Sequence, residues 1–242
     1  MLFYIYTNGR ASVKPVSPEI EEQTDGRRIR GDRTRRAILA KAVDLASAEG
    51  LEGLSIGRLA TELGVSKSGL FAHFGSKQEL QLETIDAASE IFEEIVWLPV
   101  ADREHGLVRL AALMDSWLDY FRQDVFRGGC FFSNAHHEFD SRSGPVHDRI
   151  AAQKRRWMDA IVGHVRSAQR RGQLRGDVDP EQLAFELDAA GVLANLLWQL
   201  NDDERAFDRA ATAIRDRLYA SATPAGRRAL TQYGKSAGAR TG

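Results

Sequence analysis

Apolar residues recur at helical spacing along most of the chain. Between Ile56 and Leu63 they fall at i, i+3, i+4 and i+7, which places them on one face of an α-helix. Later segments show the same periodicity and end at helix-breaking residues such as Pro99 and Gly172. No alternating strand pattern between turn sequences competes with it. The pattern predicts an all-α chain of about nine helices.

Both ends of the chain lack this periodicity. Residues 1–26 contain two prolines and scattered polar residues, so we expect a flexible N-terminal arm. The sequence leaves open whether this arm is translated. Residues 222–242 are small, basic and glycine-rich, which predicts a disordered tail.

The composition is that of a globular protein. Hydrophobic residues make up 43% and charged residues 28% of the 242 positions. No apolar run approaches the roughly 18 residues of a membrane span, and Leu2–Tyr6 lacks the features of a signal peptide. Cys130 is the single cysteine, which favours a reducing compartment. We expect a cytoplasmic protein without a membrane partner.

Positive charge is concentrated near the N-terminus, although the net charge of the whole chain is −1. Residues 27–80 carry ten Lys or Arg against six Asp or Glu, whereas acids exceed bases in residues 81–242. A basic module on an acidic body is typical of nucleic-acid binding. A solvated basic face remains an equal alternative from charge alone.

Residues 55–74, SIGRLATELGVSKSGLFAHF, have the pattern of a helix-turn-helix. Ala60 is small where two helices would cross, and Gly64 can adopt the positive φ of the turn. Ser66 is a natural N-cap for the second helix. Val65 and Leu70 are expected to bury its inner face. A helical corner without DNA-binding function could share this spacing.

The wider segment 34–80 closely resembles the N-terminal DNA-binding domain of TetR-family transcriptional regulators. The matching pieces include Ser55-Ile56-x-x-Leu59-Ala60, Gly64-Val65-Ser66-Lys67-Ser68, Leu70-Phe71-x-His73-Phe74 and Ser76-Lys77-x-Glu79-Leu80. In the last piece, Ser76 and Glu79 form a capping-box pattern. The resemblance implies an N-terminal three-helix helix-turn-helix domain, followed by a helical domain for ligand binding and dimerisation.

The resemblance also implies which residues face DNA. Ser66, Lys67 and Ser68 lie at the start of the recognition helix, which enters the major groove. Lysine can donate to guanine there, and serine can donate or accept. Lys77 begins the fourth helix and is placed for a phosphate contact. The further phosphate candidates are Arg33, Thr34 and Ser55.

Two aromatic residues complete the predicted DNA-binding set. Phe71 occupies a position where the family usually has tyrosine, whose hydroxyl can reach a phosphate. Either the phosphate contact is simply absent at Phe71, or the phenylalanine ring serves only for packing. Its loss is expected to cost about 1 kcal/mol of affinity with little effect on specificity. His73 is interpreted either as a packed or backbone-bonded side chain, or as a DNA contact.

Successive apolar residues from Leu183 to Leu197 are separated by 4, 3, 4 and 3 positions. This spacing is typical of the contact line between two helices packed side by side. In the family the last two long helices, here about 180–200 and 204–220, form a four-helix dimer interface. A twofold dimer would match a palindromic operator. An intramolecular core seam is the alternative. The predicted interface residues are Leu183, Leu187, Ala190, Gly191, Ala194, Leu197, Phe207 and Ile214.

Residues 100–175 are rich in large apolar side chains. Such residues at helical spacing form a core more often than a pocket, but the resemblance implies a small-molecule effector site in this region. The predicted wall residues are Met114, Trp117, Phe121, Phe132 and Trp157. A pocket of this composition favours an apolar or aromatic ligand with few polar groups.

The sequence gives little support for metal binding, redox sensing or catalysis. His136 and His137 neighbour two acids, but adjacent histidines on a helix point to different faces, so no metal site is expected. Cys130 follows two glycines and is interpreted as a small buried side chain, with a redox-sensing thiol as the alternative. No nucleophile elbow, P-loop or dinucleotide-binding sequence occurs. We therefore expect no catalytic residues, no cofactor and no enzyme activity.

These observations predict a homodimeric repressor that a small effector releases from a palindromic, double-stranded operator. A ligand-independent regulator or an activator is the alternative. The expected domains are an arm at 1–26, a DNA-binding domain at 27–80, an effector-binding and dimerisation domain at 81–221, and a tail at 222–242.

Overall fold

A computed structural model of the chain describes the backbone of residues 4–7, 10–13 and 26–238 and the side chains of residues 33–236. Within these ranges the body of the protein is helical, which confirms the all-α prediction. The described part of the chain contains ten α-helices, whereas the sequence pattern predicted about nine. They are α1 (Gly26–Glu49), α2 (Ile56–Leu63), α3 (Lys67–Phe74), α4 (Lys77–Phe92), α5 (Leu107–Arg122), α6 (Phe131–Phe139), α7 (Pro145–Arg170), α8 (Pro180–Asn201), α9 (Arg205–Ser221) and α10 (Pro224–Gly238).

Two short strands fall within the predicted N-terminal arm. β1 (Tyr4–Thr7) pairs with β2 (Arg10–Val13) in an antiparallel hairpin. The strand residues are mostly aromatic or β-branched, and Asn-Gly, the sequence most typical of a two-residue hairpin loop, separates them. The rest of the predicted arm, up to residue 25, lies outside the described residues.

The described residues divide into two compact units. The first contains the residues up to Ile91 together with Gln123–Ala151, and the second contains Phe92–Arg122 together with the residues from Ala152 onward. The division therefore differs from the predicted boundary between residues 80 and 81. Nearly all of α4 and the whole segment 123–151 belong with the helix-turn-helix.

Segment 123–151 packs on α1 through a close backbone approach. A Cβ at Gly128 would lie 2.0 Å from the carbonyl oxygen of Ser47, so only glycine fits there. The amide of Asn134 donates to the carbonyl oxygens of both residues at 2.9 Å. Arg127 Nε donates to Asp44 Oδ2 at 2.7 Å.

The second unit is built around α5, α8 and α9, and α8 packs most extensively on α9. Asp179 caps α8 by accepting hydrogen bonds from the backbone N–H groups of Glu181 and Gln182 at 2.9 and 3.2 Å. These bonds hold the pKa of the Asp179 carboxyl below its usual range. Pro180 occupies the first turn, as predicted.

The prediction of a disordered tail is wrong for residues 224–238, which form α10. The hydroxyl of Thr223 accepts a hydrogen bond from the N–H of Gly226 at 3.2 Å, which caps the helix. A Cβ at Gly226 would lie 2.0 Å from the carbonyl oxygen of Gln173, so the glycine allows close packing. Tyr233 Oη donates to Asp115 Oδ2 at 2.7 Å. Tertiary contacts thus order a segment whose composition alone indicated disorder.

The predicted dimer seam on α8 and α9 lies largely inside the protomer. Six of the eight predicted interface residues are buried within the second unit, and Ala190 and Leu197 are partly buried. The 4-3-4-3 spacing therefore identifies a packed helix face, but the partners of that face are α5 and α9 of the same chain. The six buried residues are Leu183, Leu187, Gly191, Ala194, Phe207 and Ile214.

Candidate DNA interface and effector region

Local hydrogen bonds build a helix-turn-helix from α2 and α3. The hydroxyl of Ser55 accepts from the N–H of Arg58 at 3.1 Å and begins α2. Gly64 ends that helix with φ +66°, a left-handed conformation that glycine adopts without steric cost. The hydroxyl of Ser66 accepts from the N–H of Gly69 at 3.1 Å and begins α3. Ser66 and Gly64 have the local roles that the sequence predicts, whereas the capping role of Ser55 was not predicted.

The start of α3 presents an exposed polar surface. Every residue from Gly64 to Gly69 is exposed, whereas Leu70 and Phe74 are buried and fix the opposite face of the helix. Val65 is 50% exposed, so the expectation that it packs on the inner face is wrong. Lys67 and Ser68 therefore lie on the accessible side of α3.

Phe71 and His73 have different environments. The Phe71 ring is 53% exposed, so it is not a core side chain. His73 is partly buried, and its ring lies 6.2 Å from that of Phe74. Its carbonyl oxygen accepts from Arg35 Nη1 at 2.6 Å. This arrangement favours a packed role for His73 and a surface role for Phe71.

Lys77 is exposed at the start of α4 and forms an ion pair within its own unit. Its Nζ lies 2.8 Å from Glu52 Oε1. This hydrogen bond holds the pKa of the Glu52 carboxyl below its usual range. Arg142 Nη1 lies 3.3 Å from the other oxygen of Glu52. A phosphate that binds Lys77 would compete with this exposed, weak pair.

The other predicted phosphate contacts lie on α1 and at the start of α2. Arg33 and Thr34 are exposed on α1. Ser55 is partly buried, and its hydroxyl oxygen is used in capping, which leaves its O–H proton free to donate. No acidic residue occurs between Glu62 and Glu79, so α3 and both of its flanks carry only positive or neutral side chains. Such a surface attracts phosphate groups.

Three of the five predicted pocket residues, Trp117, Phe121 and Trp157, form an aromatic cluster in the second unit. Met114, Trp117, Phe121 and Trp157 are buried. The ring centroids of Trp117 lie 4.9 Å from those of Trp157 and 5.0 Å from Phe121. A Cβ at Gly191 would lie 2.2 Å from Trp117 Cζ3, so the indole rests directly on the backbone of α8.

Phe132 lies in the first unit instead, where its ring packs edge-on against Phe131. The burial of Met114, Trp117, Phe121 and Trp157 supports their interpretation as core side chains, which their spacing favoured.

A buried charged group borders this cluster. Asp188 on α8 accepts a hydrogen bond from Trp157 Nε1 at 2.8 Å, and both of its oxygens lie 2.7 Å from Lys154 Nζ. Sequence periodicity gave no indication of this site, because Asp188 occupies a position between apolar core residues. An acidic residue inside an apolar helix face was the available clue.

The outer face of α8 is apolar and exposed. Phe185 is 63% exposed and Leu200 is 72% exposed, with Leu193 and Leu196 between them on the same face. By length and composition, α8 is the single helix in the described part of the chain that could cross a membrane, and one-third of its apolar window is buried. An exposed apolar face of this extent is typical of a protein–protein interface.

The residues considered for metal or redox chemistry lie in or beside α6. Among the described residues no three His, Cys, Asp or Glu side chains cluster as metal ligands. Cys130 is buried, and its sulfur accepts from the N–H of Ser133 at 3.5 Å at the start of α6. Glu138 binds the backbone N–H of Leu51 at 2.7 Å, a role that sequence reasoning missed.

A helix-turn-helix with an exposed basic recognition helix, joined to a second helical unit, defines a DNA-binding regulator. Residues 38–84 match the family described as bacterial regulatory proteins, tetR family. Residues 106–214 match the tetracyclin repressor-like C-terminal domain. A curated relative, the HTH-type transcriptional repressor NicS of Pseudomonas putida, is 31% identical over 157 residues, which is 64% of this chain and 70% of that protein. The chain therefore belongs to the TetR family of transcriptional regulators.

Solved structures share the same fold. A TetR transcriptional regulator from Chloroflexus aurantiacus superimposes with a TM-score of 0.72 and 27% identity, covering 79% of this chain and 96% of that one. AibR, solved in complex with isovaleryl coenzyme A and operator DNA, gives a TM-score of 0.56 and 26% identity over 74% of this chain and 94% of its own. The predicted all-α architecture and family are thus confirmed.

Proposed function

We propose that this protein is a cytoplasmic repressor that binds a palindromic operator as a homodimer. The observation that carries the proposal is the exposed, acid-free surface at the start of α3, where Lys67 and Ser68 point away from the core formed by Leu70. A relative that is itself a repressor supports this direction of regulation.

The dimer uses the exposed apolar face of α8, which contains Phe185, Leu193, Leu196 and Leu200. Pairing this face between two copies would remove a large apolar surface from water. A twofold axis then presents two recognition helices to two half-sites about one DNA turn apart.

The effector site of this proposal is the aromatic cluster around Trp117 and Trp157. Its composition suits an apolar or aromatic ligand, and the buried Asp188 and Lys154 supply a polar anchor at its edge. AibR, which shares the fold, was solved with both a ligand and operator DNA, which supports ligand-responsive DNA binding. The ligand acts by binding one state more tightly than the other.

A ligand-independent regulator is the second candidate. The contact of the Trp117 indole with the backbone at Gly191 leaves no space for a side chain there, and it favours a closed core.

The first experiment measures fluorescence anisotropy of a labelled duplex from the DNA upstream of this gene. Binding is followed over a salt series and against scrambled competitor DNA. Tight, competitor-resistant binding with a stoichiometry of two chains supports the proposal. Equal competition by scrambled DNA, or no binding at low salt, contradicts sequence-specific recognition of that site.

The effector is tested by screening apolar and aromatic compounds for release of the duplex. Because Trp117 and Trp157 belong to the cluster, a true effector must also change the tryptophan emission of the protein, measured without DNA. Release without any change in tryptophan emission would move the effector site away from this cluster. If every compound leaves the complex intact, the ligand-independent candidate gains support.

A further inference from the structure

The second unit contains a cleft at the C-terminal end of α7, two helical turns beyond Trp157. The cleft has a volume of about 560 Å³. It is lined by three small residues on α7, namely Ala160, Gly163 and Ser167, and by His105, His164, Arg170 and Arg171. This volume suits a small organic molecule.

A specific contact holds the two sides of the cleft together. The backbone N–H of Leu107, at the start of α5, donates to Gln173 Oε1 at 2.9 Å. Gln173 follows the end of α7, so this bond fixes the start of α5 beside that helix end. The ring of His105 consequently stacks on that of His164, with centroids 6.3 Å apart and planes inclined by 28°.

The cleft is positively charged and contains no acidic side chain among its lining residues. The acid that reaches it is Glu104, whose Oε1 lies 2.6 Å from Arg171 Nη1 and whose side chain is mostly exposed. An exposed pair of this kind contributes little and exchanges readily. Arg170 forms no ion pair with a carboxylate among the described residues of the second unit.

Arg109 adds a further cation on α5. Its Nη1 lies 3.1 Å from His105 Nε2, and its buried Nε has no hydrogen-bond partner among the described residues. Burial, Arg109 and His105 lower the pKa of His164 to about 4. Burial, and after it the neighbouring positive charges, thus keeps the imidazole neutral, and a bound anion would offset the repulsion from those charges.

We propose that this cleft is a binding site for a small organic anion bearing a phosphate or carboxylate group. Arg170 and Arg171 bind the anionic group, and the stacked imidazoles of His105 and His164 form the wall against which the rest of the ligand packs. Arginine suits both groups because its guanidinium forms paired hydrogen bonds to their oxygens. A metal ion is disfavoured, because the lining offers cations and two imidazoles without a carboxylate.

Gly163 allows a direct test of this site. A Cβ at that position would meet nothing within 4 Å, so a side chain there extends into the open cleft. Gly163→Met places a long side chain in the cleft where the ligand would bind, and Gly163→Ala is the matched control that leaves most of the cleft open. Both changes replace a glycine inside a helix and should leave the thermal midpoint equal or higher, which separates loss of binding from misfolding.

Isothermal titration of the whole protein with inorganic pyrophosphate and with citrate measures the binding. The salt concentration is about 0.15 M, where nonspecific surface attraction is screened. We expect one saturable site per chain, with affinity reduced roughly tenfold or more in Gly163→Met and in Arg170→Gln. Arg155→Gln removes an exposed arginine from the same helix outside the cleft and should change the affinity less than about twofold.

Binding of pyrophosphate alone assigns the site to phosphate-bearing ligands, and binding of citrate alone assigns it to carboxylates. Three results would overturn the proposal: no saturable binding of either probe, binding unaffected by Gly163→Met, or an equal loss in Arg155→Gln. The titration contains no DNA, so its outcome is independent of the operator-binding experiment.

Discussion

The carboxylate of Glu138 on α6 accepts a hydrogen bond from the backbone N–H of Leu51, with 2.7 Å between nitrogen and oxygen. Its other oxygen accepts from the N–H of Glu52 at 2.9 Å. These two amides lie in the turn between α1 and α2. A side chain 87 residues away thus provides the hydrogen-bond acceptors for the backbone of the turn that precedes the helix-turn-helix.

Glu138→Ala should lower the free energy of unfolding by about 1–3 kcal/mol, because it leaves two backbone donors without their charged partner. Urea unfolding followed by circular dichroism measures the change. Asp140→Ala removes an exposed carboxylate from the same segment and serves as the control. Equal losses in the two variants would mean that net charge, and not the hydrogen bonds, determines the effect.

Lys77→Ala should weaken binding to specific and scrambled DNA by the same factor. Removing one phosphate contact reduces the slope of log affinity against log salt by about one. Anisotropy over a salt series measures both quantities. Glu52→Gln removes the partner of Lys77 and should tighten binding to both DNAs. Unchanged affinity in Lys77→Ala would exclude the phosphate role.

Lys67→Ala should change the preferred half-site sequence, because a lysine at the start of α3 can donate to base edges in the major groove. Loss of such a contact costs about 1–3 kcal/mol of discrimination. Selection from a randomised half-site library compares this variant with Lys77→Ala, whose sequence preference should match the unmodified protein. A uniform loss over all sequences would make Lys67 a phosphate contact.

Leu193→Glu should convert the dimer into monomers, because it places a charge in the middle of the exposed apolar face of α8. Light scattering gives the mass directly. Gln199→Glu adds the same charge at another exposed position of α8 and should leave the dimer intact. The dimer surface lies elsewhere if Leu193→Glu remains dimeric. Leu187→Glu is uninformative because Leu187 is fully buried within the protomer.

Stability should fall as the pH decreases from 6.5 towards 4, because His164 resists protonation in the folded state. Burial, Arg109 and His105 lower its pKa from 6.5 to about 4. The unfolded chain takes up the proton first in this window, so the folded state loses stability there and retains it above pH 6.5. The loss should be about 1–2 kcal/mol, smaller than the full shift implies because the ring is only partly buried.

The pH effect is measured by urea unfolding of the protein and of His164→Gln at several pH values. The variant should show a flatter dependence, whereas the exposed His137→Gln should follow the unmodified protein. Identical curves for His164→Gln and the unmodified protein would assign the acid sensitivity to other groups.

The helix-turn-helix is readily predicted because its positions are determined locally. Gly64 needs a positive φ, and Ser55 and Ser66 cap helices through hydrogen bonds to residues three positions away. Such requirements are visible in a short stretch of sequence. The exposure of Val65 was missed because an apolar residue in a turn has no periodicity to assign it to a face.

Long-range features were not predictable in the same way. The apolar spacing around Leu187 shows that the face packs, but it cannot show whether its partner belongs to the same chain. The exposed apolar residues of α8 lie on another face of the helix, which the spacing from Leu183 to Leu197 does not include. Likewise, α10 depends on Gly226 and Tyr233 meeting distant residues, and composition carries no information about those contacts.

The hydrogen bonds of Asp188 restrict how α7 and α8 can move along each other. Lys154 and Trp157 lie on one helix and Asp188 on the other, so the three groups set a single axial register. A slip of one helical turn, about 5.4 Å, would leave the buried carboxylate without its ammonium and indole partners, at a cost of several kcal/mol. Gradual sliding of α7 along α8 is therefore opposed, and any change in their axial register must exchange these hydrogen bonds as a set.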